Sequence, residues 1–360
     1  MWMIPVLVAV LEGLTHFGIW HGDSSGYVSM TKLFRGTASI DEALVTHWHG
    51  IVRPMVPFLA VPLSYATSYK DAIATVNLGF FVLGTFFVYL FTKKLLNSQA
   101  ALISGLCFAS AFPNLMVGAA VLTDGPGYAM EIVVIYFLLF VLEKKRDLGS
   151  SLLAGALIGI AVLTKETNLI ILPVFLLLRF FLHRDRLTVS TMLLTLILAI
   201  AIPLTWSQLV GYNYLTFYRE GLAYITPGYK GALTNPILFS LSFVYAFALC
   251  IPFAFMGFFL VDDGKFKILL EILLSAGVLL LLWPTNPEYR FAFLTFPATL
   301  PLAASGISQA TQVLSRRPWF NRLGQRAWLI LLLILIMIIT NAAFYYLLSM
   351  GVVASALLVI

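Results

Sequence analysis

The chain has 360 residues, of which 61% are hydrophobic and only 11% charged, and its mean hydropathy is +0.96. That composition excludes a soluble globular domain and defines a polytopic membrane protein. The net charge of +6 does not point to nucleic acid, because the basic residues cluster in short loops between apolar runs, as they do on the cytoplasmic face of a membrane protein.

A bilayer core about 30 Å thick needs roughly 20 apolar residues per helix. Runs at 2–20, 71–92, 99–121, 126–142, 150–164, 168–182, 187–210, 236–260, 267–283, 291–309 and 327–349 therefore predict an all-α transmembrane helix bundle of about eleven spans. The first run contains Glu12 and His16 and lacks a basic start and a small-residue cleavage site, so it reads as a retained helix. Glu12 and His16 share a helix face. They are expected as a pair turned to the bundle interior, with a proton relay as the alternative.

Behind the first span comes a polar stretch, 21–69, read as a long first external loop. Pro54, Pro57 and Pro62 lie within residues 51–66. Proline removes a helical hydrogen bond and clashes with the preceding turn, so this segment is expected as short interfacial helices rather than a span. With that assignment Lys93 and Lys94, Lys144 to Arg146, Arg179 to Arg186, Lys265 and Lys267, and Arg316 to Arg326 share one face, taken as cytoplasmic. The opposite face receives 21–69, 122–125, 165–167, 211–235 and 284–290. Cys107 and Cys250 fall inside spans and count as small apolar side chains. Asp262 and Asp263 belong to a cytoplasmic turn.

Four external pieces, GDSSGY, LTDGPG, TKETN and WPTNPEYR, place an acid, a base or both at the end of a span. Polar groups persist at that depth where they pair, face water or bind something, so the four pieces predict one composite site. A carboxylate in hydrogen-bond reach of an acceptor can align or deprotonate it, and Asp23 is the candidate. Asp124, in TDGPG, has three readings: a helix cap, a partner of Asp23 in binding a divalent cation, or a hydrogen-bonding anchor for the first loop. Glu131 is expected to support Asp124 or Lys165. The Tyr-rich stretch 211–235, with Arg219, Glu220 and Lys230, reads as an interfacial anchor or as a covering loop. No Gly-rich phosphate loop, Cys-x-x-Cys pair or serine elbow is visible in the sequence.

Five features occur in order along the chain: Asp23 with Tyr27 and Gly36; His49 with Arg53 and Pro54; Asp124; Lys165; and Arg290 within EYRFAFLTFP. Together they resemble the integral-membrane glycosyltransferases of the C superfamily, in particular the protein O-mannosyltransferase and aminoarabinose transferase branch, over roughly residues 1–310. Ser24 and Ser25 stand where the family often has a second acid, and Met55 follows Pro54 where it often has a second proline. The large soluble C-terminal domain of some members is absent from this sequence.

The resemblance implies one transmembrane glycosyltransferase domain over 1–360, with 21–69 as an external catalytic loop. It implies a polyprenyl-phosphate-linked sugar as donor and a lipid, glycan or protein acceptor, with membrane lipids as further partners and no nucleic acid. Asp23 and Asp124 are the expected catalytic carboxylates, and Tyr27, His49, Arg53, Lys165, Glu288, Tyr289 and Arg290 the expected substrate-binding groups. Lys165 and Arg290 are assigned to the departing phosphate, because preorganised cations stabilise developing charge in a water-poor cavity; headgroup contact or snorkelling is the alternative. His47 and His49 alternate about Trp48 and share a side of an extended strand. Asp23, Asp124 and His47 are one reading as ligands of a divalent metal such as zinc; hydrogen bonding near the donor phosphate is the other. No nucleotide cofactor is expected. A prokaryotic plasma membrane is the expected location, with an organelle membrane as the alternative. The rival function is a transporter or flippase of lipid-linked sugars, which would place its polar or broken helices near the bilayer midplane; a structural subunit is the third class.

Overall fold

A computed structural model describes residues 2–20, 22–46, 49–142, 147–182, 186–211, 247, 250–282, 293–316 and 324–349. Among these residues the secondary structure is helical, with no strand. Three helices are long and apolar enough to cross a bilayer by themselves, Tyr69–Leu95, Asp124–Val141 and Val189–Leu209; Met3–Thr15, Ser98–Ala109, Leu148–Thr164, Glu166–Leu176 and Trp328–Thr340 are shorter apolar helices.

The first helix, α1 (Met3–Thr15), packs on α6 (Tyr69–Leu95) and α7 (Ser98–Ala109). The contact is close because Pro5 lies against Gly105, where a Cβ would stand 2.9 Å from the proline ring. His16 follows α1, buried; its Nδ1 is 2.9 Å from the Glu12 carbonyl oxygen and 4.0 Å from the Glu12 carboxylate. Between α1 and α6 the chain forms four short helices, α2 (Ser24–Phe34), α3 (Ile40–Thr46), α4 (His49–Val52) and α5 (Met55–Ala60), then a 3-10 turn at Leu63–Tyr65. No span is formed here, as the three prolines require. Gly36 ends α2 at φ 77°, a conformation that costs glycine no steric strain. Gly50 lets α4 lie against α2, since a Cβ there would collide with the Gly26 carbonyl.

Local capping sets the long helices. Ser68 accepts from the Asp71 amide at 3.1 Å and opens α6, and Asn97 accepts from the Ala100 amide at 2.9 Å and opens α7. Lys93 and Lys94 occupy the last turn of α6, where the helix dipole favours cations.

The expected span 99–121 is not one helix. α7 stops at Ala109, and α8 (Phe112–Val117) begins with Pro113 in its first turn. Residues 118–123 are non-helical yet fully buried. Buried backbone in that form needs partners from elsewhere. They are present: Gly18 N–H donates to Ala119 O and Val121 N–H to Ile19 O, each at 2.9 Å. Asn77 Nδ2 donates to Leu122 O at 2.6 Å and also to Ala120 O, and Ser24 Oγ donates to Val121 O at 2.8 Å. Side-chain partners from α2 and α6 therefore hold an irregular strap at the depth of the bundle.

From the strap the chain enters α9 (Asp124–Tyr136), which passes through a π-helical turn at Phe137–Val141. It then returns in α10 (Leu148–Thr164), opened by Asp147 accepting from the Ser150 amide at 2.7 Å. Lys165 leaves the helix in extended backbone, φ −158° and ψ 130°, and a 3-10 turn at Glu166–Ile170 leads to α11 (Ile171–Leu182). α12 (Arg186–Leu209) crosses α10 at Gly155 and Gly159, and Trp206 near its end donates to Ile51 O at 2.7 Å. The last described helices are α13 (Cys250–Phe258), α14 (Asp263–Leu282), α15 (Phe296–Ser315) and α16 (Gly324–Ser349). α13 and α15 meet at Gly257 and Gly306, where any Cβ would strike the facing backbone carbonyl. Lipid removes most of the hydrophobic drive between helices, so such small-residue crossings carry much of the association. Cys107 and Cys250 are buried free thiols.

Candidate functional site

Asp23 precedes α2, and Tyr27 lies one turn on. Both are buried, Tyr27 completely. The Tyr27 hydroxyl is 3.0 Å from Thr123 Oγ1, which ties α2 to the residue before α9. Arg53 stands between α4 and α5, directly ahead of Pro54, and is 6% exposed. Its Nη1 donates to the Tyr27 hydroxyl at 2.7 Å. Its Nε and Nη2 donate to Glu166 Oε2 and Oε1 at 2.6 and 2.5 Å, a two-pronged ion pair between the first loop and the corner after α10.

A second ion pair lies beside the first. Lys165 Nζ donates to Asp124 Oδ1 at 2.5 Å, with the lysine side chain 2% and the aspartate 0% exposed. The lysine stem passes over Gly127, where an added Cβ would stand 2.7 Å from Lys165 Cβ and 2.8 Å from its Cδ. The Tyr128 hydroxyl is 3.4 Å from the same Asp124 oxygen, and its ring stacks on Phe293 at 3.7 Å between centroids and 17° between planes. Phe293 thereby brings the turn ahead of α15 to the site.

Burial pushes the Tyr27 phenol well above its usual value; Arg53 works against that shift, while Asp23 and Asp124 add to it. Both carboxylates thus act on the same hydroxyl. Burial would raise the Glu166 carboxyl, but Arg53, with a contribution from Lys165, more than reverses this and brings it to about 2. Burial also opposes the charge on Arg53, and Glu166, Tyr27 and Asp124 outweigh it. The region is therefore a buried cluster in which Glu166 and Arg53 are held charged, and a charge placed there by a ligand interacts strongly.

Of the expected residues, Asp23, Tyr27, Arg53, Asp124 and Lys165 come together in this cluster. His49 opens α4, but its side chain lies outside the described residues, as do His47, Glu288, Tyr289, Arg290 and residues 212–235. Lys165 neither snorkels nor reaches headgroups: it is buried against Asp124. Asp124 lies in the first turn of α9 but is more than a helix cap, because its carboxylate holds that lysine. Glu131 does not support either group. Its two carboxyl oxygens are buried with no hydrogen bond among the described residues, and it sits seven residues along α9 from Asp124, roughly 10 Å at 1.5 Å per residue.

Glu166 and Thr123 were not anticipated. The signal for Glu166 was its place beside Lys165 in TKETN at the end of an apolar run, where an acid calls for a basic partner; the partner, Arg53, is 113 positions away in sequence. Among the described residues no three His, Cys, Asp or Glu side chains converge as metal ligands. Of the expected ligands, Asp124 is engaged by Lys165 and His47 lies outside the described residues.

Residues 53–210 match a family model described as dolichyl-phosphate-mannose-protein mannosyltransferase. The fold is similar to that of ArnT from Cupriavidus metallidurans bound to undecaprenyl phosphate, at TM-score 0.64 and 14% identity, covering 99% of this chain and 73% of that one. It is also similar to the oligosaccharyltransferase AglB from Archaeoglobus fulgidus in complex with an inhibitory peptide and a dolichol-phosphate, at TM-score 0.61 and 15% identity, covering 96% of this chain and 55% of that one. The Archaeoglobus enzyme complexed with Zn and sulfate matches at TM-score 0.55 and 15% identity, over 95% of this chain and 52% of that one. The chain thus spans about half the length of the archaeal protein. Among curated proteins none matches this sequence significantly.

Proposed function

We propose that this chain, which has the fold of the C-superfamily membrane glycosyltransferases, transfers a sugar from a polyprenyl-phosphate-linked donor to a lipid, glycan or protein acceptor on the external face of the membrane. The observation that carries the reading is the convergence of Asp23, Tyr27, Arg53, Asp124 and Lys165, from separate parts of the sequence, in one buried cluster. Its supports are the matching family model over residues 53–210 and the shared fold of ArnT, solved with undecaprenyl phosphate.

The chemistry is a single inverting displacement. The acceptor oxygen bonds to the anomeric carbon as the anomeric carbon–oxygen bond to phosphate breaks, and the phosphate leaves with the electron pair. Asp23 aligns the acceptor and takes its proton. A phosphate leaves as an anion and needs no strong acid; it needs cations, and Arg53 offers a planar fork. Lys165, held by Asp124, adds positive charge beside it, and Arg290 is assigned to the same phosphate. The loop 21–69 forms the catalytic side of one transmembrane domain, and a prokaryotic plasma membrane is the proposed location.

Native mass spectrometry of a purified Asp23→Asn variant tests the reading, since blocked turnover leaves the donor bound. A copurified polyprenyl phosphate bearing a sugar is the expected result. Bulk phospholipid alone, together with no sugar transfer by wild-type membranes supplied with lipid-linked sugars, would overturn it.

A further inference from the structure

Each described cation of the cluster already holds an anion. Arg53 has five N–H donors; three are used, two by Glu166 and one by Tyr27, which leaves one on each terminal nitrogen. Lys165 is bound to Asp124. Asp23, Asp124 and Glu166 are buried in the same cluster as Arg53 and Lys165. An incoming phosphate therefore meets a guanidinium whose charge is neutralised, and whose side edge is occupied by a carboxylate in the two-oxygen arrangement that phosphate itself uses.

The two ion pairs are not equivalent. Asp124 is set in the first turn of α9, and the Lys165 stem is wedged over Gly127, so that pair has little freedom to part. Glu166 opens a 3-10 turn directly after an extended residue, where side-chain reorientation disturbs no α-helical hydrogen bond. An anion must nevertheless stay near Arg53, because a buried guanidinium without one is strongly disfavoured.

We infer that Glu166 is an internal competitor for the lipid phosphate: it holds the Arg53 fork in the resting protein, gives it up to the donor, and takes it back to release the polyprenyl phosphate product. This rests on the proposed reading that Arg53 meets the donor phosphate. The product is a phosphate monoester, more highly charged near neutral pH than the diester donor. It would bind an uncontested Arg53 more tightly than the donor does and slow turnover at release. Glu166 lowers the apparent affinity by the fraction of protein in which Arg53 is open.

Undecaprenyl phosphate is the probe, with its affinity measured on the full chain in nanodiscs. Glu166→Gln is expected to bind about tenfold more tightly than wild type, Arg53→Gln about tenfold more weakly, and the double variant like Arg53→Gln alone. Equal or weaker binding by Glu166→Gln at an unchanged melting temperature, with Arg53→Gln still weakened, overturns the competitor and leaves the glycosyltransferase reading standing. Wild-type affinity in Arg53→Gln removes the phosphate role of Arg53 and the competitor with it. A second measurement avoids variants at Glu166: the Arg53 Nε–H resonance of 15N-arginine-labelled wild type, assigned by its loss in Arg53→Gln. It must shift as the lipid saturates the protein, and a stationary signal at saturation overturns the exchange.

Discussion

Gly127→Ala is expected to disable the site without replacing a charged residue. The added Cβ would stand 2.7 Å from Lys165 Cβ and 2.8 Å from its Cδ, about 1 Å inside ordinary carbon–carbon contact. Lys165 Cβ is fixed to the backbone, so moving the flexible end of the side chain cannot absorb the whole overlap. Lys165 must move by a comparable distance, and its 2.5 Å bond to Asp124 does not survive a shift of that size. Overpacking alone costs roughly 1–3 kcal/mol, and separating a buried pair adds toward about 3–5 kcal/mol. We therefore expect a lowered melting temperature in detergent and sugar transfer reduced at least about tenfold. The direct assay is a double-mutant cycle over Asp124→Asn and Lys165→Gln, measured in the wild-type and Gly127→Ala backgrounds. Coupling of about 2–3 kcal/mol in wild type should collapse in Gly127→Ala. Full activity, or coupling undiminished by the methyl group, would refute the reasoning.

Three further outcomes follow from the geometry. The Glu166 carboxyl is lowered to about 2 from the usual 4.5, so its contribution to stability is complete above about pH 4.5 and is lost as pH falls toward 2; a melting-temperature profile should be steeper across that window in wild type than in Glu166→Gln. Asn77→Ala leaves the Ala120 and Leu122 carbonyls without their side-chain donor, at a cost of roughly 1–3 kcal/mol for each buried group, and hydrogen exchange at the Val121 amide should rise against the rest of the bundle. Gly257→Leu drives a side chain into the Leu302 carbonyl on α15; thermal unfolding should fall by more than for a leucine placed at Gly264, which faces open space.

The membrane class, the helical fold and several cluster members were legible in the linear sequence. Apolar run length answers directly to bilayer thickness, and the prolines at 54, 57 and 62 rule out a straight span between Ile51 and Ala66. Isolated acids and bases at the ends of apolar runs announced Asp23, Asp124 and Lys165, since membrane burial makes such residues costly unless they are used; Arg53 entered through the family resemblance carried by His49, Arg53 and Pro54.

Pairing was another matter. Lys165 answers Asp124 across 41 positions and Arg53 answers Glu166 across 113; local sequence carries no record of which charge meets which. The break after Ala109 was equally hidden, because 99–121 is apolar enough for a span. What interrupts it is an environment: Asn77, Gly18, Ile19 and Ser24 satisfy the backbone of 118–123 in place of helical bonds. Hydrophobicity, a property of each residue, placed the chain in the bilayer. The identity of each buried ion pair, a property of two residues at a distance of a few ångströms, was decided by the tertiary structure alone.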